Sequence, residues 1–245
     1  MAIEDYLCRA YGGTADDYAK EAARAMLAGE KKFIVTANPE IIMHAEKDPA
    51  IRELLLWDQA EIVPDGISVV KAMEMLGLPA KERITGVDLA EKLLREAGRA
   101  GKSVFLLGAK EEVVSALAEK LRKTYPAMTV RYRNGYEKDK DGIFDQIAAQ
   151  APDLTLVALG VPAQELLIYR HLKEFSKGVF MGVGGSFDVL SGSKRRAPAL
   201  FVKTNTEWLY RIAREPSRLG RFYRNNIQFL RQVKKSAANS ASSPR

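Results

Sequence analysis

The segment GVFMGVGGSFD, residues 178–188, combines a short apolar run with three glycines within four residues. The apolar run predicts a buried strand, and the glycines let a ligand approach the backbone closely. Asp188 follows these glycines, and its carboxylate could accept a hydrogen bond from a ribose or a base. A buried strand that ends in a glycine turn, in alternation with helices, is typical of an α/β fold.

The same alternation extends over most of the chain. Apolar or β-branched runs predict six strands, at residues 32–36, 60–63, 103–107, 128–132, 154–159 and 178–183. Helical patterns lie between them, at residues 40–57, 67–76, 87–97, 111–124, 143–150 and 163–175. The pattern predicts a Rossmann-like α/β fold, with a mostly parallel sheet flanked by helices and with function at the carboxyl ends of the strands.

Composition narrows the class of protein. The 245 residues are 47% hydrophobic, which is ordinary for a globular protein with one sizeable core. Cys8 is the only cysteine and His44 and His171 are the only histidines, so a disulfide framework and a Cys/His metal cluster are not expected. The sequence shows no signal peptide and no apolar run of the roughly 18 residues that cross a bilayer. We therefore expect a cytoplasmic protein whose membrane contact, if any, is peripheral.

Residues 203–235 account for the entire net charge of +7, with nine Lys and Arg against Glu207 and Glu215. Pro216 divides this stretch into two predicted helices, at residues 205–214 and 217–234, each with an arginine face and an apolar face. Such helices suit an anionic membrane surface, but they also suit an ordinary surface helix packed on its domain. Nucleic acid is disfavoured, because no nucleic-acid motif accompanies the charge. The candidate membrane contacts are Arg214, Arg224, Phe222, Phe229 and Leu230.

These observations divide the chain into three predicted parts. Residues 1–202 form the α/β core, and residues 203–235 form a basic amphipathic helical appendage. Residues 236–245 are rich in Ser and Ala and are predicted to be a disordered end.

Polar side chains follow the first two predicted strands. Thr36 and Asn38 offer a hydroxyl and a carboxamide that could bind a sugar or a phosphate, although Thr and Asn also commonly cap helices. Asp65 lies on the turn Val63-Pro64-Asp65-Gly66, where it could act as a general base for a hydroxyl nucleophile or cap the next helix. The pattern alone leaves these alternatives open.

The remaining strand ends carry weaker signals. Gly108 precedes a helix and could face a phosphate, and Gly135 and Tyr136 could hold a base or form a turn. Gln164 can reach forward from the start of a helix. The Asp139-Lys140-Asp141 segment has the DxD pattern of metal-dependent sugar transferases, but its lysines favour a solvated turn, and we expect no metal.

Several motifs in order resemble one family. They are Thr36-x-Asn38, Val63-Pro64-Asp65-Gly66, Arg83 to Leu89, Gly160-x-Pro162-x-Gln164-Glu165, Gly182 to Asp188, Arg196-Ala197-Pro198 and Glu207 to Arg211. Together they resemble the WecG/TagA/CpsF glycosyltransferases over about Thr36 to Leu230, and the set is more specific than any single motif.

The resemblance implies an inverting, metal-independent transferase without a cofactor. Such an enzyme moves a sugar from a UDP-sugar donor to a polyprenyl-diphosphate-linked acceptor on the inner face of the cell membrane. In the wall teichoic acid branch the donor is UDP-N-acetylmannosamine and the acceptor carries N-acetylglucosamine. Alternatives are UDP-N-acetylmannosaminuronate or UDP-glucose as donor, or a non-catalytic nucleotide-binding module at the membrane. A nicotinamide dehydrogenase is disfavoured, because Gly108 lacks the other fingerprint glycines.

The resemblance also implies roles for particular residues. Asp65 would be the catalytic base, with Thr36 beside it. Asn38, Arg83 and Gln164 would line the sugar pocket, and Arg211, Arg218 and Arg221 would close over the leaving diphosphate. The nucleotide would be held by Gly108, Gly135, Tyr136, Gly184, Gly185 and Asp188. The oligomeric state stays open, and a homo-oligomer is compatible with the sequence.

Overall fold

The computed structural model describes residues 3–242, without the side chains of residues 211, 218, 221 and 239–242. Its centre is a six-stranded sheet with the strand order β2-β1-β6-β5-β3-β4, and every neighbouring pair is parallel. The strands are β1 (Lys31–Ala37), β2 (Ala60–Pro64), β3 (Ser103–Gly108), β4 (Thr129–Arg133), β5 (Leu154–Ala158) and β6 (Gly178–Gly182). All six predicted strands and the α/β class are confirmed.

Helices cover both faces of the sheet. The described helices are α1 (Ile3–Leu7), α2 (Ala15–Ala28), α3 (Pro39–Ala45), α4 (Pro49–Leu56), α5 (Ile67–Met75), α6 (Gly86–Arg99), α7 (Glu111–Thr124), α8 (Lys140–Gln150), α9 (Ala163–His171), α10 (Ser186–Ser191), α11 (Ala199–Lys203), α12 (Glu207–Arg214) and α13 (Arg218–Ser242). One buried apolar cluster joins the sheet to α1, α3, α4, α5, α8, α9 and α13. A second joins the opposite face to α2, α6, α7 and α10. Strands buried on both faces explain the continuous apolar runs in the sequence.

Two local differences from the predicted helices have clear causes. The helix predicted over residues 40–57 is two helices, because Pro49 begins α4 and Asp48 caps it by accepting a hydrogen bond from the Ala50 N–H at 2.9 Å. Helix α2 was not predicted. It begins at Thr14, whose side chain caps the Asp17 N–H, and ends at Gly29, which has a positive φ of 72°.

The middle of α13 is part of the core. Phe229 and Val233 have 0% of their surface exposed, and α13 packs against α1, α3 and α5. Leu230 is partly buried against the same cluster. The prediction that Phe229 binds a membrane is therefore wrong, because its ring is enclosed by the protein. For this part of α13 the structure agrees with the alternative of a helix packed on its domain.

Helix α13 also continues to Ser242, where the sequence predicted a disordered end from residue 236. This segment contains several alanines, which have the highest helix propensity. Residues 243–245 of the predicted tail lie outside the described residues. The division of the chain into a core, an appendage and a tail stays a prediction.

Among the described residues, no helix combines the length and apolar character that crossing a membrane requires.

Candidate active site

A cleft of about 620 Å³ opens at the carboxyl ends of β1, β2, β5 and β6. Adjacent parallel strands end at the same edge of the sheet, so residues far apart in the sequence meet there. The second wall of the cleft comes from α12 and α13. The cleft brings together seven residues that the sequence analysis assigned to catalysis, sugar binding or nucleotide binding, namely Thr36, Asn38, Asp65, Arg83, Gln164, Gly184 and Gly185.

Thr36 and Asp65 both lie close to one glycine. A Cβ atom added to Gly86, the first residue of α6, would lie 3.7 Å from Thr36 Oγ1 and 3.9 Å from Asp65 Oδ2. Thr36 is buried, and its hydroxyl donates to the Gly182 carbonyl across 3.3 Å. The hydroxyl and the carboxylate are therefore both close to the same point of the cleft lining.

The structure shows which of the two residues, Asn38 and Asp65, occupies the capping position of a helix. Asn38 caps α3, because its Oδ1 accepts from the N–H groups of Glu40 and Ile41 at 2.9 and 3.1 Å. Its amide NH₂ group takes no part in this cap. The N-cap position of α5 is occupied by Gly66 rather than by Asp65, so Asp65 is not the cap residue that its spacing suggested.

Gln164 connects two loops that line the cleft. Its Oε1 accepts from the backbone N–H groups of Gly160 and Gly184 at 3.1 and 2.9 Å, which ties the loop after β5 to the loop after β6. Its Nε2 donates to Glu165 Oε1 at 2.6 Å. Because Oε1 is already shared by two donors, the second N–H of Nε2 is the group that Gln164 can offer to a ligand.

Glu165 is completely buried behind Gln164. Its Oε2 has no hydrogen-bond partner within the described part of the chain. Burial is the main cause that raises the pKa of Glu165 to about 7, with a smaller contribution from the nearby Glu40 and against the opposing hydrogen bond from Gln164. Gly182 leaves room for this pair, since a Cβ there would lie 2.6 Å from Gln164 Nε2 and 2.8 Å from Glu165 Oε1.

A network of charged side chains joins the cleft to α12. Arg83 Nη2 donates to Glu207 Oε2 at 3.5 Å, and Arg196 Nε lies 3.6 Å from Glu207 Oε1. Arg196 also donates to both carboxylate oxygens of Asp88, at 2.5 and 2.8 Å. Burial alone would raise the pKa of Asp88, but the hydrogen bonds from Arg196 and Thr85 outweigh it and hold the pKa below its ordinary value. Glu207, although charged, is only 4% exposed.

A second cleft, of about 490 Å³, adjoins the first through Gly185 and Glu207. Asp188 lines it, as the nucleotide prediction requires, and so do several cations. One of them is Arg214, which was predicted to contact a membrane but whose Nε donates to the Tyr210 hydroxyl at 3.3 Å. The other basic residues of this cleft are Lys194, Arg195 and Arg196.

Gly108, Gly135 and Tyr136 line neither cleft. Gly108 has φ +123°, and a Cβ there would lie 2.4 Å from the Ala158 carbonyl oxygen. The close approach of β3 and β5 therefore accounts for this glycine without a ligand. Gly135 donates its N–H to the Ala109 carbonyl at 2.8 Å, and the ring of Tyr136 is 73% exposed beside it. Their role in nucleotide binding stays a prediction.

The two carboxylates of the DxD pattern have structural partners. Asp139 caps α8 by accepting from the Gly142 N–H at 2.8 Å. Asp141 accepts from Arg170 and from His171 Nε2. The solvated turn that the lysines suggested is instead the start of α8, with Asp139 at its N-cap and Asp141 in its first turn.

The comparison with known proteins decides the family. The model of the glycosyl transferase WecG/TagA/CpsF family matches residues 8–243, which is nearly the whole chain. The chain belongs to this family.

A Bacillus spizizenii relative is 42% identical over 187 residues, covering 76% of this chain and 72% of its own length. A Staphylococcus aureus relative is 42% identical over 191 residues, covering 77% and 74%. Both relatives are named N-acetylglucosaminyldiphosphoundecaprenol N-acetyl-beta-D-mannosaminyltransferase.

The resemblance to the WecG/TagA/CpsF glycosyltransferases is thus confirmed, and the chain is an enzyme of that class. Of the family arginines, Arg211 lies on α12 and Arg218 and Arg221 lie on α13. Their side chains lie outside the described residues, so their contact with a diphosphate stays a prediction. Arg224 is exposed on α13.

Sequence reasoning missed several residues of this glycosyltransferase cleft. Trp208 and Phe222 line it with their rings stacked, at a centroid distance of 4.6 Å and an interplanar angle of 7°. Phe222 was predicted to contact a membrane; in the structure its ring faces Trp208 and the cleft. Asn225 and Asn226 line the same wall. Glu207 and Trp208 stood within a quoted family motif, which is the signal that could have identified them.

Proposed function

We propose that this glycosyltransferase moves N-acetylmannosamine from UDP-N-acetylmannosamine to N-acetylglucosamine carried on a polyprenyl diphosphate. This reaction builds the linkage unit of wall teichoic acid. The relatives' names support the transferred sugar and the acceptor. The observation that carries the proposal is the cleft itself, in which the Asp65 carboxylate and the Thr36 hydroxyl both lie within 4 Å of the Cβ position of Gly86.

The proposed chemistry is a single inverting displacement. The acceptor hydroxyl attacks the anomeric carbon of the donor sugar, Asp65 takes the hydroxyl proton, and the bond to the UDP oxygen breaks. A positioned carboxylate suits this step, because it removes the proton as the new bond forms. The Gln164 N–H and the Asn38 amide are the polar groups proposed to hold the donor sugar. Arg83, held by Glu207, adds a positive charge to the same cleft.

UDP leaves with increasing negative charge, which fixed cations can stabilise in place of a metal ion. The second cleft offers Lys194, Arg195, Arg196 and Arg214 beside Gly185 and Asp188. We propose that the nucleotide diphosphate lies there, with Arg211, Arg218 and Arg221 closing over it. Asp188 would then accept a hydrogen bond from the ribose or the base.

The proposed contact with an anionic membrane surface is supported by exposed apolar side chains on the last three helices. Leu200 is 69% exposed and Tyr223 is 64% exposed, and Leu209 and Leu219 are also exposed. Arg224 is exposed on α13 as well. Apolar insertion and attraction to anionic lipids would add together at such a surface. These side chains replace Phe229 in the proposed membrane contact.

The test is UDP release by the purified protein with UDP-N-acetylmannosamine, a polyprenyl-diphosphate N-acetylglucosamine acceptor and EDTA. The Asp65→Asn variant is assayed in parallel, with Asp58→Asn as the matched control because the Asp58 side chain is 96% exposed and lies outside the cleft. We expect acceptor-dependent release by the wild type and the control. Asp65→Asn should lose about 10² to 10⁴ in kcat and keep its affinity for UDP.

Other outcomes would redirect the proposal. Release only with UDP-N-acetylmannosaminuronate or UDP-glucose would change the donor and keep the reaction class. Release that stops with EDTA would contradict metal independence. Full activity of Asp65→Asn would remove Asp65 as the base, and UDP binding without turnover on any donor would favour a non-catalytic module.

A further inference from the structure

Among the described residues that line the cleft, aromatic side chains lie on one of its two walls only. One wall carries polar groups from the strand ends, which are Thr36, Asn38, Asp65 and Gln164. The other comes from α12 and α13 and carries Trp208, Ile212, Phe222 and Asn225. A transfer reaction needs two sugars in one cleft, and the proposed function assigns groups only to the donor.

Contacts within the protein hold the two aromatic rings of this wall in place. The Trp208 and Phe222 rings stack nearly parallel across α12 and α13, so each ring fixes the orientation of the other. Asn226 secures the same turn of α13. It accepts from the Ser68 hydroxyl at 2.7 Å and donates to the Phe222 carbonyl at 3.0 Å. Ser68 lies on α5, so this contact ties the wall to the core.

We propose that Trp208 and Phe222 form the subsite for the saccharide of the lipid-linked acceptor; this rests on the proposed function. The occupant is an N-acetylhexosamine. One face of a pyranose ring carries only C–H groups, and an aromatic ring buries that face while leaving the hydroxyls at its rim free. Asn225, whose amide lines the same wall, is the group that can hydrogen bond to a rim substituent.

The surroundings of this wall fit a lipid-linked occupant. The helices α12 and α13 that carry Trp208 and Phe222 also carry the exposed Leu209, Leu219 and Tyr223. A sugar stacked on Trp208 would therefore have apolar surface for its polyprenyl chain on the same two helices. The donor carries no lipid chain, so this exposed apolar surface favours the acceptor on the aromatic wall.

The first test uses the acceptor alone. The chain has two tryptophans, and Trp57 lies at the other edge of the sheet, just before β2, with its ring centroid 5.1 Å from that of Tyr169. In a Trp57→Phe variant, fluorescence reports Trp208. The probe is N-acetylglucosamine diphosphate on a short, soluble prenyl chain, without donor or vesicles. We expect a saturable change in Trp208 emission with this probe. No change at probe concentrations that support turnover would overturn the subsite.

The second test is kinetic, with the same soluble acceptor. Trp208→Leu and Phe222→Leu should each raise the acceptor KM by about tenfold, as the loss of an aromatic contact implies, and should leave the donor KM within about twofold. Trp208→Phe keeps an aromatic face and should recover most of the affinity, which separates stacking from a folding defect. Trp57→Phe is the matched control. Equal increases in the two KM values, or an unchanged acceptor KM, would overturn the proposal.

The two tests also separate this inference from the proposed function. If no donor gives turnover but the probe changes Trp208 emission, the subsite stands and the reaction is wrong. If turnover occurs and the aromatic variants keep the acceptor KM, the reaction stands and the subsite is wrong.

Discussion

Arg83 donates from Nη2 to Glu207 Oε2 across 3.5 Å, and this contact joins the floor of the cleft to the first turn of α12. The Arg83 and Glu207 side chains are 12% and 5% exposed, so neither charge is well solvated. Hydrogen bonds to charged groups in such surroundings are stronger than surface ion pairs. The contact therefore positions Arg83 for the cleft and fixes α12 over it.

The first prediction concerns this pair. Glu207→Gln should lower kcat/KM by about 10- to 100-fold, because a hydrogen bond to a charged group is worth about 1.5–3 kcal/mol. Steady-state kinetics of Glu207→Gln, Arg83→Gln and the double variant form the measurement. If the two residues act together, the double variant should be little worse than either single one. Fully additive losses would contradict the coupling. Glu74→Gln, on the exposed side of α5, is the control.

The second prediction concerns the glycine behind Gln164. Gly182→Ala should lower the free energy of unfolding by about 1–3 kcal/mol, since its Cβ would overlap Gln164 Nε2 and Glu165 Oε1. Activity should fall as well, because Gln164 ties together the loops after β5 and β6. Chemical denaturation and UDP release measure the two effects. The control is Gly220→Ala, since among the described residues no atom beyond its chain neighbours and the local helix backbone lies within 4 Å of a Cβ at that position in α13. A stable and fully active Gly182→Ala protein would show that the pair can shift.

Much of the fold was predictable because a sheet buried on both faces leaves continuous apolar runs, such as Leu154–Ala158. The meeting of Asp65 and Thr36 in one cleft was also predictable, since parallel strands end at one edge. The helical periodicity of the sequence did not indicate that Phe222 and Phe229 have different surroundings. Both lie on the apolar side of one amphipathic helix, yet one faces the cleft and the other faces the core.

The contacts between residues far apart in the chain could not be predicted from the sequence, for a different reason. Arg83 and Glu207 are 124 positions apart, and no local pattern indicates that they meet. Gly108 shows the opposite case. Its place between a strand and a helix suggested a phosphate site, whereas the carbonyl of the neighbouring strand requires a residue without a Cβ.

The third prediction is a pH dependence of stability that depends on Glu165. Its pKa rises from an ordinary 4.5 to about 7 in the folded protein, so the folded state holds the proton more tightly than the unfolded state. The stabilisation from this group is complete below pH 4.5 and is lost as pH rises to about 7, a change of about 3 kcal/mol at 1.36 kcal/mol per pKa unit. Glu165→Gln removes this titration. The difference in unfolding free energy between wild type and variant should therefore fall by about 2–3 kcal/mol from pH 5 to pH 8. A constant difference over this range would mean that Glu165 is ionised throughout.

The last prediction asks whether α13 belongs to the folded core or is a separate appendage. Phe229→Ala should cost about 3–5 kcal/mol of unfolding free energy, as expected for a fully buried Phe whose removal leaves a cavity. Leu219→Ala, on the same helix but 53% exposed, should change stability by less than about 0.5 kcal/mol. Denaturant unfolding without lipid measures both. If Phe229→Ala is as stable as the wild type, α13 does not pack on α1, α3 and α5 in solution, and its apolar side is free to bind a membrane. If it is strongly destabilised, the membrane-binding side chains must come from the exposed residues of the last three helices.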